Sequence, residues 1–145
     1  MSNSRQISVF LANRPGTLAA LLKSVKECGV NMRALSIADT RDFGIVRMIV
    51  NDTEGALAHL RGAGYAVTVT DIVAVTVPDA PGQLSRVVGV LAERGVNIEY
   101  MYAFAARHGE EAILVFRFDD LAKAEEALTA AGRDVISPLE LFSHK

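Results

Sequence analysis

Pro15-Gly16 recurs as Pro81-Gly82, and Gly29-Val30-Asn31 recurs as Gly95-Val96-Asn97, both at a spacing of 66 residues. Between these anchors the apolar spacing is copied as well. Leu18, Leu21, Leu22 and Val25 map onto Leu84, Val87, Val88 and Leu91, each set being the i, i+3, i+4, i+7 stripe of an amphipathic helix. Self-similarity at a fixed period constrains a fold more than any local propensity, because each copy must form the same supersecondary unit. The offset drifts to 68 by Gly64 and Gly132, which places two inserted residues in the second copy near Arg107 to Glu111 and Asp119.

Each copy resolves into the same elements. Short β-branched runs, Ile7 to Leu11 and Ile72 to Val77, predict a first strand. The spacing then predicts a helix from Gly16 to Cys28 and from Gly82 to Arg94, ended by Gly29 and Gly95. A strand pair follows in each, Asn31 to Asp39 with Gly44 to Val50, and Asn97 to Ala106 with Ala112 to Phe118. Second helices over Thr53 to Ala63 and Asp120 to Ala131, each closed by a glycine, lead to last strands over Ala66 to Thr70 and Asp134 to Ser137. The order is βαββαβ twice. It gives an α+β fold of two ferredoxin-like units, each an antiparallel four-stranded sheet with both helices on one face. The units divide as 1–70 and 71–145 and lie side by side, since Thr70-Asp71 leaves no room for a linker. A unit this small buries little surface alone, so one continuous sheet is expected.

Ile45 to Val50 and Ala112 to Phe116 are apolar on both faces, whereas a sheet wetted on one face alternates. The helix-free face therefore needs a cover. The expected cover is a second copy, giving a homodimer that stacks sheets face to face.

Half of the chain is hydrophobic and 22% is charged, as in ordinary globular proteins. A net charge of −2 argues against nucleic acid and anionic membranes, which are met by excess Lys and Arg. No apolar run reaches the roughly 18 residues a membrane helix requires, and Ile7 to Ala12 is too short for a secretory signal, so a cytoplasmic protein is expected. The single cysteine, Cys28, reads as a packing residue. His59, His108 and His144 are scattered, and no zinc-ligand spacing or nucleophile elbow is present. Neither a catalytic residue nor a metal or other cofactor is expected. Paired carboxylates, Glu110 with Glu111 and Asp119 with Asp120, read as complements to turns and helix starts.

What remains is the repeated turn into the first helix, Asn13-Arg14-Pro15-Gly16-Thr17-Leu18 and Asp79-Ala80-Pro81-Gly82-Gln83-Leu84. The first amides of a helix lack internal partners, so those of Gly16, Thr17 and Leu18 are candidate donors to a carboxylate. Glycine would let a ligand approach the backbone, and Asn13 or Asp79 can accept from an ammonium group. A plain, well-capped helix start explains the same residues, and the duplication copies either role. Asn31 and Asn97 carry the same two readings.

At these residues the chain resembles the ACT domain, the regulatory amino-acid-binding module of many biosynthetic enzymes, over essentially its whole length as two copies. The pairing of Asn13-Arg14-Pro15-Gly16-Thr17-Leu18 with Gly29-Val30-Asn31-Met32 is similar to that in the serine-sensing domain of phosphoglycerate dehydrogenase. The resemblance implies an amino acid held where two modules meet. One site would combine Asn13, Arg14, Gly16, Thr17 and Leu18 with Asn97 and Ile98; the other would combine Asp79, Gly82, Gln83 and Leu84 with Asn31 and Met32. Leu11 stands where the serine sensor has a histidine, so serine specificity does not carry over. Asp79 against Asn13 makes the sites inequivalent. Tyr100, with Tyr102 and Phe104, has no aromatic counterpart in Ala34, Ser36 and Ala38, and serves either a side-chain pocket or packing.

The two modules consume the chain, apart from Pro138 to Lys145, where Leu139 to Phe142 is expected to add an edge strand. The implied protein is a non-catalytic sensor of a free amino acid or similar small carboxylate, acting on a separate client metabolic enzyme. An interaction partner of such an enzyme with degenerate ligand sites is the alternative. A ferredoxin-like enzyme or RNA binder is disfavoured by the missing acid–base constellation and basic patch.

Overall fold

The computed structural model describes residues 4–39, 42–105, 110–133 and 135–137, without the side chain of Ala105. His108, His144 and the expected edge strand at Leu139 to Phe142 lie outside the described residues. The chain divides into two compact units, one over Arg5–Thr70 and the other from Asp71 onward with Ser4. Both are α+β, and both follow the βαββαβ order.

The first unit runs β1 (Ser4–Ala12), α1 (Thr17–Cys28), β2 (Met32–Asp39), β3 (Phe43–Val50), α2 (Thr53–Gly62) and the start of β4 (Ala66–Pro78). Its strands lie in the order β2-β3-β1-β4. The second unit continues from β4 through α3 (Gln83–Glu93), β5 (Ile98–Ala105), β6 (Glu111–Phe118), α4 (Leu121–Ala130) and β7 (Val135–Ile136). Here β7 pairs with β4, which pairs with β6, which pairs with β5. The expected last strand of one copy and first strand of the next are thus a single strand, β4. Residues 70 and 71 are both extended within it.

Strand register fixes which side chains meet the helices. Ile7, Val9 and Leu11 of β1 stand opposite Met48, Val46 and Gly44 of β3, and they join Leu21, Val25, Ala56 and Leu60 from the helices in one core. The second unit repeats this with Val73, Val75 and Val77 of β4, Leu114, Phe116 and Phe118 of β6, and Val87, Leu91, Ala124, Ala127 and Leu128. Phe116 and Phe118, two residues apart and so on one face, stack with centroids 5.2 Å apart.

The buried helix stripe is narrower than the four-residue spacing suggests. Leu21 with Val25, and Val87 with Leu91, are the buried i, i+4 pairs, while Leu22 and Leu84 are exposed. A helix lying on a sheet buries a ridge, and residues a step around the barrel of the helix stay outside it.

The helix-free face carries apolar residues of differing burial. Ile49, Ala74, Ile113 and Val115 point away from the helices, yet each is no more than 2% exposed within the single chain. The polar set Ser4, Gln6 and Ser8 on the second face of β1 is buried too, with Gln6 Nε2 donating to Ser8 Oγ at 3.3 Å. On the same face Phe10 is 43% exposed and its cross-strand partner Ile45 is half-buried, so the burial of this face is incomplete within the single chain.

Asp52 and Asp120 cap α2 and α4, accepting from the amides of Gly55 at 3.0 Å and Lys123 at 3.1 Å. No such cap stands before α1 or α3. There the helix is preceded by glycine at positive φ, Gly16 at 89° and Gly82 at 85°. Alanine in place of Gly82 should lower unfolding stability by about 1–2 kcal/mol through backbone strain alone, since its Cβ would meet nothing within 4 Å. Alanine in place of Gly89, an exposed helical glycine with equally open space, should raise it by about 0.5–1 kcal/mol. Urea denaturation of the two variants measures both signs.

Candidate functional site

The turn before each first helix is built from two nested reversals. Arg14 N donates to Ala12 O at 2.9 Å, closing a three-residue γ-turn on Asn13. Thr17 N then donates to Arg14 O at 3.4 Å across Pro15-Gly16, and Gly16 has φ 89° and ψ −16°. Proline second and glycine at positive φ third make this a type II turn. The second copy matches it: Ala80 N to Pro78 O at 2.9 Å, and Gln83 N to Ala80 O at 3.4 Å. Asn13 N and Asp79 N extend the sheet ladder to Asp42 O at 3.1 Å and Glu110 O at 2.8 Å.

This geometry revises the donor set. The Thr17 amide is engaged in the turn, so the amides free of a backbone acceptor among the described residues are those of Gly16, Leu18 and Ala19. Glycine is required at 16 by the turn itself. The open space above its missing Cβ, nothing within 4 Å, leaves that backbone accessible as well. The Thr17 hydroxyl is structural, reaching Ala12 O at 2.8 Å and Arg14 O at 3.0 Å. Leu18 packs partly against the core and offers a site only its amide, whereas Leu84 is 43% exposed.

Beside each turn lies a cleft confined to its own unit. In the first, a cleft of about 360 Å³ is walled by Phe10, Leu11 and Ala12 of β1, Arg14 and Thr17 of the turn, Ala20 of α1, and Gly64, Tyr65 and Ala66. In the second, a cleft of about 190 Å³ is walled by Thr76, Val77 and Pro78 with Glu111, Gly132 and Arg133. These are equivalent places, the strand end on one side and the glycine turn after the second helix on the other. Tyr65 N to Leu60 O and Arg133 N to Leu128 O, at 3.0 and 2.9 Å, fix that glycine turn identically.

The charges differ. The first cleft takes its cation from Arg14, exposed on the turn, with Tyr65 opposite. In the second, Ala80 replaces Arg14, and the cation comes from Arg133 at the position of Tyr65. Arg133 Nη2 lies 3.4 Å from Gln83 Oε1, and Glu111 adds a carboxylate to the wall. Gly64 and Gly132 are legible from sequence only as helix ends, and Tyr65 and Arg133 are not expected there as site residues. The signal was present in the repeat, where Gly64-Tyr65 aligns with Gly132-Arg133 immediately after the second helix.

Asn31 and Met32 lie elsewhere. Register pairs Met32 with Val50 at one end of β3, while Leu11 meets Gly44 at the other, six residues or about 20 Å away. Asn97 and Ile98 stand likewise at the Phe118 end of β6, opposite the end that pairs with Val77. Within one unit, the Pro-Gly turn and the strand-start asparagine cannot serve one small ligand. Both asparagine backbones are clamped by a residue not anticipated from sequence. Asn31 N donates to Asn51 Oδ1 at 2.9 Å and Asn97 N to Asp119 Oδ1 at 3.0 Å, with return bonds from Asn51 N at 3.1 Å and Asp119 N at 3.2 Å. Their side chains are left exposed. Met32 and Ile98 are half-buried against the two cores. Tyr100 is half-buried on the helix-free face opposite Arg117, which pairs with Glu99 at 3.3 Å.

A family model for the ACT domain pair matches residues 2–143. The chain belongs to the ACT-domain family. A solved structure of protein BT0572 from Bacteroides thetaiotaomicron is 36% identical, with a TM-score of 0.91 over 97% of this chain and 96% of that one. The ligand-free regulatory subunit of aspartate kinase from Thermus thermophilus shares the fold at 18% identity, TM-score 0.69, over 90% and 91% of the two chains. The corresponding subunit from Thermus flavus does so at 18% and 0.65, over 97% and 94%. Among curated proteins, none matches the chain.

The ACT pair thus carries two turns of one geometry with different side-chain anchoring. Valine in place of Thr17 keeps the shape and removes the hydroxyl that spans Ala12 and Arg14. It should lower stability by about 1 kcal/mol, read by chemical denaturation.

Proposed function

We propose that this ACT pair is a non-catalytic regulatory protein that binds a free amino acid beside the Pro-Gly turn and transmits its occupancy to a separate metabolic enzyme. The observation that carries the reading is the first cleft. It joins a cation, Arg14, to unpaired helix-start amides and an apolar wall of Phe10, Leu11 and Ala20. That combination suits a carboxylate with an apolar side chain: the guanidinium and amides take the anion, and Asn13, exposed at the rim, is available to the ammonium group. The strand-start asparagine that the ACT resemblance assigns to the ligand comes, in this reading, from another module.

The second cleft favours a different role. Its cation is already beside Gln83, and Glu111 and Asp79 add two carboxylates where the first copy has Phe43 and Asn13. A ligand carboxylate there meets like charge, so the second copy acts as a binding surface with a degenerate site, and one ligand fills per chain.

Regulation requires only that the ligand bind one conformation better than another. A thermal-shift screen of the twenty common amino acids, followed by calorimetry, tests the reading. One or a few apolar amino acids should stabilise the chain, by about 2.7 kcal/mol at a hundredfold excess over Kd, with one site per chain. Arg14→Ala should weaken that binding about tenfold or more, the loss of one charge-assisted contact, and Arg133→Ala should leave it unchanged. A flat response across the panel overturns the proposal.

A further inference from the structure

Two aromatic side chains line the first cleft from different walls. Phe10 stands on the strand wall and is 43% exposed. Tyr65 stands on the turn between α2 and β4, half-buried at the margin of the core. Among the described residues neither ring stacks on another ring, and the Tyr65 phenol has no hydrogen-bond partner. A single exposed aromatic is ordinary on a protein surface. Two that converge on one cleft beside a guanidinium form an aromatic lining with an anion anchor.

The second copy isolates what this pair contributes. Phe10 corresponds to Thr76 and Tyr65 to Arg133, so both rings are lost together and each gives way to a polar side chain. The second unit nevertheless forms the same turn with the same backbone hydrogen bonds, so the fold itself does not call for either ring. What changes is the cleft, which falls from about 360 to about 190 Å³. Pockets for small organic ligands occupy about 300–1,000 Å³, a range that only the first cleft reaches. Rings on a pocket wall also discriminate. A third ring gains from offset or edge-to-face contact beyond the area it buries, and an aliphatic side chain of similar size forgoes that gain.

We infer that the ligand of the first cleft is an aromatic amino acid, its ring held by Phe10 and Tyr65 while Arg14 takes its carboxylate. The inference rests on the reading of this cleft as the amino-acid site, and it adds the two residues that decide which amino acid is taken.

The test is calorimetric titration of the full chain with phenylalanine, leucine and isoleucine. Phenylalanine should bind about tenfold more tightly than either aliphatic amino acid, the sum of two ring contacts worth about threefold each. Phe10→Leu and Tyr65→Leu should each lower the ratio of phenylalanine to leucine affinity about threefold, and the double substitution should abolish the preference. Tyr65→Phe keeps the ring and should retain it. Ligand-free melting temperatures check that each variant is folded, and the exposed Phe10 can be exchanged without opening the core. Leucine or isoleucine bound as tightly as phenylalanine overturns the inference and leaves the amino-acid site standing. A preference for phenylalanine that survives the double substitution overturns it as well. If no amino acid binds, the site itself is removed and the inference with it.

Discussion

Between strand and first helix, each copy must reverse direction twice within five residues, and the backbone does so through a γ-turn followed by a type II turn. Proline supplies the fixed φ of the second reversal and glycine its left-handed corner. The rest of the unit hangs on this corner. It sets the phase of α1 so that Leu21 and Val25 face Val9 and Val46, and it sets the phase of α3 so that Val87 and Leu91 face the matching sheet. It also aims the uncapped helix amides outward beside the cleft. Where a side chain caps the helix, as at Asp52 and Asp120, the leading amides are consumed. Where glycine starts it, they remain for something else.

The second consequence of the same corner is divergence without loss of shape. Arg14 and Ala80 occupy one position in the turn, and Tyr65 and Arg133 occupy one position across the cleft. A positive charge is present in both copies but comes from opposite walls. Thr17 ties its turn to the strand by a hydroxyl, whereas Gln83 faces an arginine instead. The backbone tolerates these exchanges because its hydrogen bonds are main-chain to main-chain, leaving side chains to vary around a fixed frame.

Most of the fold was legible in the sequence because duplication states each element twice, and a feature that recurs at a constant offset is not a local accident. The helices, their closing glycines and the strand order could all be read from this. Three things could not. Residues 66–78 look like two strands on either side of a join, since Thr70-Asp71 interrupts the apolar run and periodicity does not report whether an extended chain continues through it. The burial of Ile113 and Val115, beside a Phe10 left exposed, depends on tertiary packing, which a pattern of apolar residues does not report. The clefts depend on Tyr65 and Arg133, brought beside the turn by register. Within each copy, the Pro-Gly turn and the strand-start asparagine stand at opposite ends of the sheet, a distance set by strand register.

That unbroken β4 bears on how such a protein changes over time. Tandem modules usually trade and separate through exposed loops, where cleavage or insertion leaves each domain whole. Here the join is extended backbone in the middle of a strand, so there is no point at which one copy can be excised without truncating an element of the other. The pair is inherited as one object. Its halves are free to drift in charge at Asn13 and Asp79, but they are not free to part.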